Sequence, residues 1–249
     1  MKNYTAAADD YSKALEINPQ AAWAPYAQYG KGWSNFKSGR YNEALMVFLA
    51  FRKDYSNSPL IDSVIFGTAQ SYYLLKDYAN AVISYDEIIL KFQNSNYLDD
   101  AYLGKGDCLY GLEKYEGSAQ AYKEAISKFP KSDLSGQFEY SLGWTLLRLK
   151  DQQAAVTSFR EAVKKSTDRN LKASAVSRIG DIYIMDLKDY QKAKESYDEI
   201  LTEYNDSMLC DYAQYQLGIA LFKMANYDAA ILAFQSLLGN FPNSTFKEQ

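Results

Sequence analysis

Residues 32–48 read GWSNFKSGRYNEALMVF, and the spacing of their apolar residues indicates the fold. From Tyr41 onward, apolar side chains recur at positions i, i+3, i+4 and i+7, which is the spacing of one face of an α-helix. Residues 38–40, with the sequence SGR, favour a tight turn before it. Pro25 suits the first turn of a preceding helix, because its missing N–H leaves no hydrogen bond unmade there. The stretch therefore predicts a helix over residues 25–37, a turn, and a second helix of about four turns.

The same pattern recurs along the chain with a period of 37 residues, lengthened once to 38. A turn column marks the start of each second helix and consists of Tyr4, Tyr41, Tyr78, Tyr115, Gln152, Tyr190 and Tyr227. Each member is followed three positions later by a small residue. An aromatic column stands four positions further on and consists of Tyr11, Phe48, Tyr85, Tyr122, Phe159, Tyr197 and Phe234. Self-similarity at a fixed period of this length indicates a repeat protein.

A glycine column precedes the turn column and consists of Gly32, Ala69, Gly106, Gly143, Gly180 and Gly218. Glycine inside a helix costs about 1 kcal/mol relative to alanine, so its recurrence indicates a close approach between two helices. We expect the glycine column to face the small residues of the second helix, such as Ala44. One residue is inserted between Gly180 and Tyr190, and we expect it in the turn.

The motif Gly-x8-Tyr-x2-Ala-x3-aromatic, with Pro130 and Pro242 at unit ends, resembles the tetratricopeptide repeat (TPR), a helix-turn-helix unit of 34 residues. The units here are longer, and Gln152 replaces the turn tyrosine in one of them. The resemblance implies an all-α fold, a right-handed superhelical α-solenoid of helix-turn-helix repeats. The predicted single array over 1–249 comprises a half repeat at 2–18, repeats at 21–58, 59–95, 96–132, 133–169, 170–207 and 208–244, and a truncated tail at 245–249.

The 37-residue period and the Phe-Pro-x-Ser unit endings narrow the resemblance. The endings at 129–132 and 241–244 are similar to those of bacterial envelope TPR proteins, namely outer-membrane-assembly lipoproteins and the periplasmic coordinators of the Tol-Pal system. This resemblance implies a periplasmic or outer-membrane-associated protein rather than a cytoplasmic one.

Composition excludes several functional classes. The chain has no histidine, which removes Ser-His-Asp and Cys-His catalysis and nearly every catalytic zinc site. Cys108 and Cys210 are too few for a four-thiolate site and are interpreted as buried structural thiols. A net charge of −4 with mixed signs gives no footprint for nucleic acid, and the longest apolar run, residues 44–51, is too short to span a membrane. We therefore expect no enzyme activity, no cofactor and no metal.

A second face of the first helices carries aromatic residues, and in the repeat family this face lines a concave groove. This aromatic stripe consists of Tyr26, Tyr29, Trp33, Phe36, Phe66, Gln70, Tyr73, Asp107, Tyr110, Tyr140, Trp144, Asp181, Tyr212, Tyr215 and Phe222. Rigid aromatic anchors are typical of binding hot spots, so the stripe predicts a groove for a partner peptide or helix, with Trp33 and Trp144 as main anchors. Asp107 and Asp181 indicate a mildly acidic middle, or else are simply solvated carboxylates.

Two alternatives to the partner groove remain at this stage. The chain could be a structural subunit that contacts neighbours through its outer helices. The stripe could bind a glycan instead of a protein. End-to-end self-association is also expected, because the terminal helices keep the internal pattern of the array.

Overall fold

The computed structural model describes residues 3–248, and within that range it contains thirteen α-helices of 14 residues each. They are α1 (Tyr4–Ile17), α2 (Ala24–Lys37), α3 (Tyr41–Asp54), α4 (Ile61–Leu74), α5 (Tyr78–Lys91), α6 (Leu98–Gly111), α7 (Tyr115–Lys128), α8 (Ser135–Arg148), α9 (Gln152–Lys165), α10 (Arg169–Ile182), α11 (Tyr190–Glu203), α12 (Cys210–Lys223) and α13 (Tyr227–Asn240). A π-helical segment, Tyr183–Leu187, follows α10, and a 3₁₀ turn, Thr245–Glu248, follows α13. The helices pack as antiparallel pairs, which confirms the all-α helix-turn-helix fold.

Every second helix begins at its turn-column residue because a polar side chain caps it or a left-handed residue turns the chain. Asp77, Asp151, Asp189 and Asn226 each accept a hydrogen bond from the backbone N–H three residues later, as N-caps do. A residue with positive φ stands two positions before the start of six second helices. These residues are Gly39, Lys76, Glu113, Lys150, Lys188 and Ala225. This left-handed residue closes the first helix and reverses the chain.

The chain divides into two compact units, Met1–Ala125 and Ile126–Gln249, with the boundary inside α7. The core of unit 1 includes Ala44, Phe48, Phe51 and Val64, all fully buried. The core of unit 2 includes Tyr197 and Ile200, which are equally inaccessible. Cys108 and Cys210 are both buried, as predicted, and burial raises the pKa of the Cys108 thiol to about 12.

A ring of the aromatic column fills the space beside each glycine of the glycine column, a contact that the sequence did not predict. The predicted approach to the small residues is seen at Gly106, whose carbonyl oxygen accepts a hydrogen bond from Ser118 Oγ at 2.9 Å. A methyl group added to Gly143 would lie 2.7 Å from the ring of Phe159, and one added to Gly180 would lie 2.7 Å from the ring of Tyr197. A flat ring needs more room than a methyl group does. The missing side chain of each glycine therefore makes space for a ring of the second helix.

The inserted residue lies between Gly180 and Tyr190. The prediction placed it in the turn, but the structure does not. It is absorbed in the π-helical segment Tyr183–Leu187, the form that a one-residue insertion in an α-helix takes. The backbone N–H of Asp189 reaches back to the carbonyl oxygen of Tyr183, at 3.0 Å. Lys188 then supplies the left-handed turn, with φ of 53°, so the start of α11 is unchanged.

Candidate functional site

All fifteen residues of the aromatic stripe lie on first helices. In unit 1 they lie on α2, α4 and α6, and in unit 2 on α8, α10 and α12. Tyr26 and Phe222 are 60% and 53% exposed, whereas Phe66 and Asp181 are buried. The remaining members are half-buried. The stripe is therefore partly core and partly surface.

Trp33 is the centre of an aromatic cluster in unit 1. Its ring meets Phe36 and Phe48 edge to face, each at 5.4 Å between centroids, and Tyr29 at 6.4 Å. Such edge-to-face pairs are favoured by the charge distribution of the rings, and they hold each ring in one orientation. Trp33 thus stabilises the repeat as well as contributing to the surface.

The sequence interpretation missed Tyr97, which directly precedes α6. Its ring stacks on Phe66 at 4.7 Å, and its hydroxyl group donates to Ser63 Oγ at 3.1 Å. Phe246 occupies the equivalent position 31 residues after Tyr215 and stacks on that ring at 5.3 Å. The shared 31-residue spacing is the signal that could have identified both residues.

A pocket of about 300 Å³ opens on the stripe in unit 1. Five stripe residues line it, namely Phe36, Phe66, Gln70, Tyr73 and Asp107, together with Lys37, Leu74, Tyr85, Asp100, Leu103 and Gly104. Four of these side chains are aromatic rings. The pocket therefore combines apolar walls with a small number of polar groups, as ligand sites usually do.

Asp107 is a partly buried carboxylate in this pocket rather than a solvated one. The hydroxyl group of Tyr122 donates to its Oδ1 at 2.6 Å. Burial raises the pKa of Asp107 to about 6, and the hydrogen bond from Tyr122 opposes that shift. The carboxylate is ionised at neutral pH, but its charge is poorly hydrated.

Asp181 is buried in unit 2, so its interpretation as a solvated carboxylate is wrong. Its Oδ1 accepts hydrogen bonds from the hydroxyl groups of Tyr197 at 2.9 Å and Tyr212 at 2.7 Å. Its Oδ2 pairs with Arg178 at 2.9 Å, and the Arg178 guanidinium lies 5.2 Å from the centroid of the Trp144 ring. These contacts connect Trp144 to the core of the unit and neutralise the charge of Asp181.

A larger cavity, of about 520 Å³, lies away from the stripe, between α1, α2 and α3. It is lined by polar and charged side chains, among them Gln28, Lys31, Arg40 and Glu43, and by no stripe residue. Nη2 of Arg40 is buried there and has no hydrogen-bond partner among residues 3–248. The mixed charges give this cavity no clear ligand class, so the smaller aromatic pocket is the better candidate site.

The structure offers neither a membrane span nor a metal centre in the residues it describes. No helix within residues 3–248 is long and apolar enough to cross a bilayer. Over the same range, no three acidic or cysteine side chains are grouped so that they could hold a metal ion.

Models of the tetratricopeptide repeat match residues 29–99, 100–132, 140–164, 175–207 and 212–244, which together make up most of the chain. No curated protein matches it significantly.

Many solved structures are similar to the chain. The C-terminal part of a TPR repeat-containing protein from Cytophaga hutchinsonii superposes with a TM-score of 0.74 at 15% identity, covering 99% of this chain and 93% of that one. The apo form of RapI has a TM-score of 0.72 at 15% identity, covering 98% and 76%. A tetratricopeptide repeat protein from Parabacteroides merdae has a TM-score of 0.63 at 14% identity, covering 98% and 90%. At these identities the likeness shows the fold alone.

Proposed function

Because the chain belongs to the tetratricopeptide-repeat family, whose repeats generally mediate protein–protein interactions and are typically non-catalytic, we propose that it is a scaffold that binds a partner peptide or helix on its aromatic stripe. The observation that carries the proposal is the pocket of about 300 Å³ in unit 1, five of whose lining residues belong to the stripe. An interaction surface needs rigid anchors beside a cavity that a partner side chain can fill.

The packing of the stripe supports this proposal. Trp33 and Trp144 are held by edge-to-face contacts with Phe48 and Phe159, so they lose little freedom when a partner binds. Tyr26 and Phe222 extend further into solvent and supply apolar area that a partner would cover. Preordered aromatic side chains of this kind raise affinity because less conformational entropy is lost on binding.

Site-specific photo-crosslinking in the native host tests the proposal. p-Benzoylphenylalanine replaces Tyr26 in unit 1 or Phe222 in unit 2, two exposed positions whose change should leave the fold intact. Matched control variants carry the same group at Met46 or Ile83, which are each 65% exposed on second helices. We expect a protein adduct from the stripe positions and none from the controls. Adducts from the controls alone would refute the stripe as the interface.

A second candidate function rests on those exposed apolar side chains of the second helices. Met46 and Ile83 occupy equivalent positions one period apart, and Leu90 on α5 is 74% exposed. Neighbouring apolar side chains on one outer face would suit a structural subunit that docks through its second helices. The crosslinking controls distinguish this function from the first.

End-to-end self-association remains a prediction. Ile231, Leu232 and Leu238 on α13 are each more than half exposed, so this helix offers an apolar surface to another copy. Light scattering over a wide concentration range tests it, and a constant monomer mass at high concentration would contradict it.

We further propose that the partner belongs to a bacterial cell-envelope complex. This rests on the 37-residue unit and the Phe-Pro-x-Ser endings at 129–132 and 241–244. Fractionation of the native host, followed by immunoblotting, tests the compartment. Recovery in the cytoplasmic fraction alone would contradict this assignment.

A further inference from the structure

The pocket in unit 1 is walled by rings from three helices. Phe36 comes from α2, Phe66 and Tyr73 from α4, and Tyr85 from α5, while α6 contributes Asp100, Leu103, Gly104 and Asp107. Its volume of about 300 Å³ lies at the lower end of the range for small-molecule sites, which suits one inserted side chain rather than a larger ligand.

The charged groups of the pocket are unbalanced. Asp100 and Asp107 both line it, and Lys37 is the only cation among the lining residues. Lys37 forms no ion pair with either carboxylate, and its Nζ lies over the ring of Phe36, at 5.9 Å from the centroid. The carboxylate of Asp100 is half-buried. No described residue donates a hydrogen bond to it or forms an ion pair with it.

From this geometry we propose that the pocket binds the side chain of a lysine or arginine in the partner segment. The inference rests on the proposed function, since it names what the unit 1 stripe recognises. The aliphatic stem of such a side chain packs against the rings, and its cationic head faces the wall that α6 forms with Asp100 and Asp107. Lys37 over Phe36 shows that this rim already holds an ammonium group above a ring face.

Direct titration tests the pocket without a known partner. Nα-acetyl-lysine N-methylamide is added to the uniformly ¹⁵N-labelled full chain, and amide shifts are followed by NMR. The norleucine derivative has the same stem without the ammonium group, and the glutamate derivative reverses the charge. We expect millimolar binding of the lysine derivative, with shifts centred on Gln70, Tyr73 and Gly104. The norleucine derivative should bind about tenfold more weakly, and the glutamate derivative should not bind.

Two variants assign the effect to the carboxylates. Asp100→Asn removes one charge from the pocket, and we expect it to weaken lysine binding several-fold. Asp54→Asn removes the same charge from an exposed position at the end of α3, outside the pocket, and should leave binding unchanged. Should Asp100→Asn perturb the whole spectrum, Asp107→Asn replaces it, because an amide oxygen can still accept from Tyr122.

The pH dependence gives an independent readout. The titratable and charged groups around the Asp107 carboxylate are Asp100, Cys108, Tyr73, Tyr85, Tyr122 and, at the rim, Lys37. Because burial raises the pKa of Asp107 to about 6, lysine binding should weaken several-fold between pH 7.5 and pH 5. In the Asp107→Asn variant this loss should be much smaller.

Equal affinity for the lysine and norleucine derivatives, shifts that centre elsewhere, or no effect of either carboxylate change would overturn the inference. Failure of the proposed function looks different. If the lysine derivative fails while stripe crosslinks form, only the cation pocket is wrong. If it binds while crosslinks come from the second helices alone, the stripe is not the partner surface.

Discussion

The hydroxyl group of Tyr197 donates a hydrogen bond of 2.9 Å to Oδ1 of Asp181, the residue that follows Gly180. Tyr122 and Asp107 repeat the arrangement at 2.6 Å. Where an apolar residue follows the glycine column, at Trp33, Trp144 and Ile219, the ring opposite lacks a hydroxyl group and is Phe48, Phe159 and Phe234. Five of the six repeats therefore match a polar ring to an acidic acceptor or an apolar ring to an apolar neighbour, and in the remaining repeat Tyr85 stands opposite Gln70.

We predict that Tyr197 and Asp181 are energetically coupled. Tyr197→Phe and Asp181→Ala each remove one partner, and the double change should be less destabilising than their sum by about 1–2 kcal/mol, since a buried carboxylate without its donors is costly. Urea denaturation of the four proteins measures this coupling. Tyr215→Phe is the control, because its hydroxyl group makes no hydrogen bond among residues 3–248, and it should change stability by less than about 0.5 kcal/mol. Additive effects would contradict the coupling.

Trp144→Ala should destabilise the fold strongly. Its ring contacts Tyr140, Phe159 and Arg178, so truncation leaves a cavity that costs about 3 kcal/mol. Phe222→Ala removes a ring that is 53% exposed and should cost less than about 1 kcal/mol. Circular dichroism melts of both variants measure the difference. If Trp144→Ala loses partner binding, the loss can come from a missing contact or from unfolding. If Phe222→Ala loses partner binding, the loss reports the missing contact, because that variant stays folded.

Asp107 should make the protein less stable as pH rises. Burial raises the pKa of Asp107 to about 6, above its unfolded value, so the folded chain binds more protons between these two values. The contribution of Asp107 to the free energy of unfolding therefore falls as pH increases from about 4 to about 7. Asp107→Asn should remove this slope and stabilise the protein by about 1–2 kcal/mol at pH 8. Denaturation across pH tests this, and a variant less stable than the parent at pH 8 would contradict it.

Deleting Met185 should restore the 37-residue period without loss of the fold. Met185 is 60% exposed within the π-helical segment, and its removal lets α10 continue as an ordinary α-helix up to the turn at Lys188. We expect stability to change by less than about 1 kcal/mol. Thermal melts compare this deletion with deletion of Ile182, which is buried and should be much more damaging.

The helix pattern was predictable from the sequence because turn chemistry and helical spacing act within a few residues. Each second helix begins at its turn-column residue, and all fifteen stripe residues lie on first helices. Contacts between helices were less predictable. The spacing placed Gly32 on the side of its helix that faces the second helix of the repeat. It did not show that the ring of Phe48, rather than Ala44, fills the space beside this glycine. The burial of Asp181 was not predictable from its own helix, because the tyrosines that donate hydrogen bonds to it come from other helices.

The glycines that contact aromatic rings have a consequence for how the array can change in length. In unit 1, the ring of Phe48 lies against Gly32 of its own repeat and against Gly67 of the next, where an added methyl group would lie 2.7 Å away. Recombination that duplicates or removes 37 residues there keeps a glycine of the following repeat against the ring, as Gly30, Gly67 and Gly104 lie against Tyr11, Phe48 and Tyr85. At the position of Gly67, the repeats of unit 2 carry Ser141, Arg178 and Gln216. Repeats are therefore interchangeable modules within unit 1, whereas a repeat transferred from unit 2 would place a side chain against a ring.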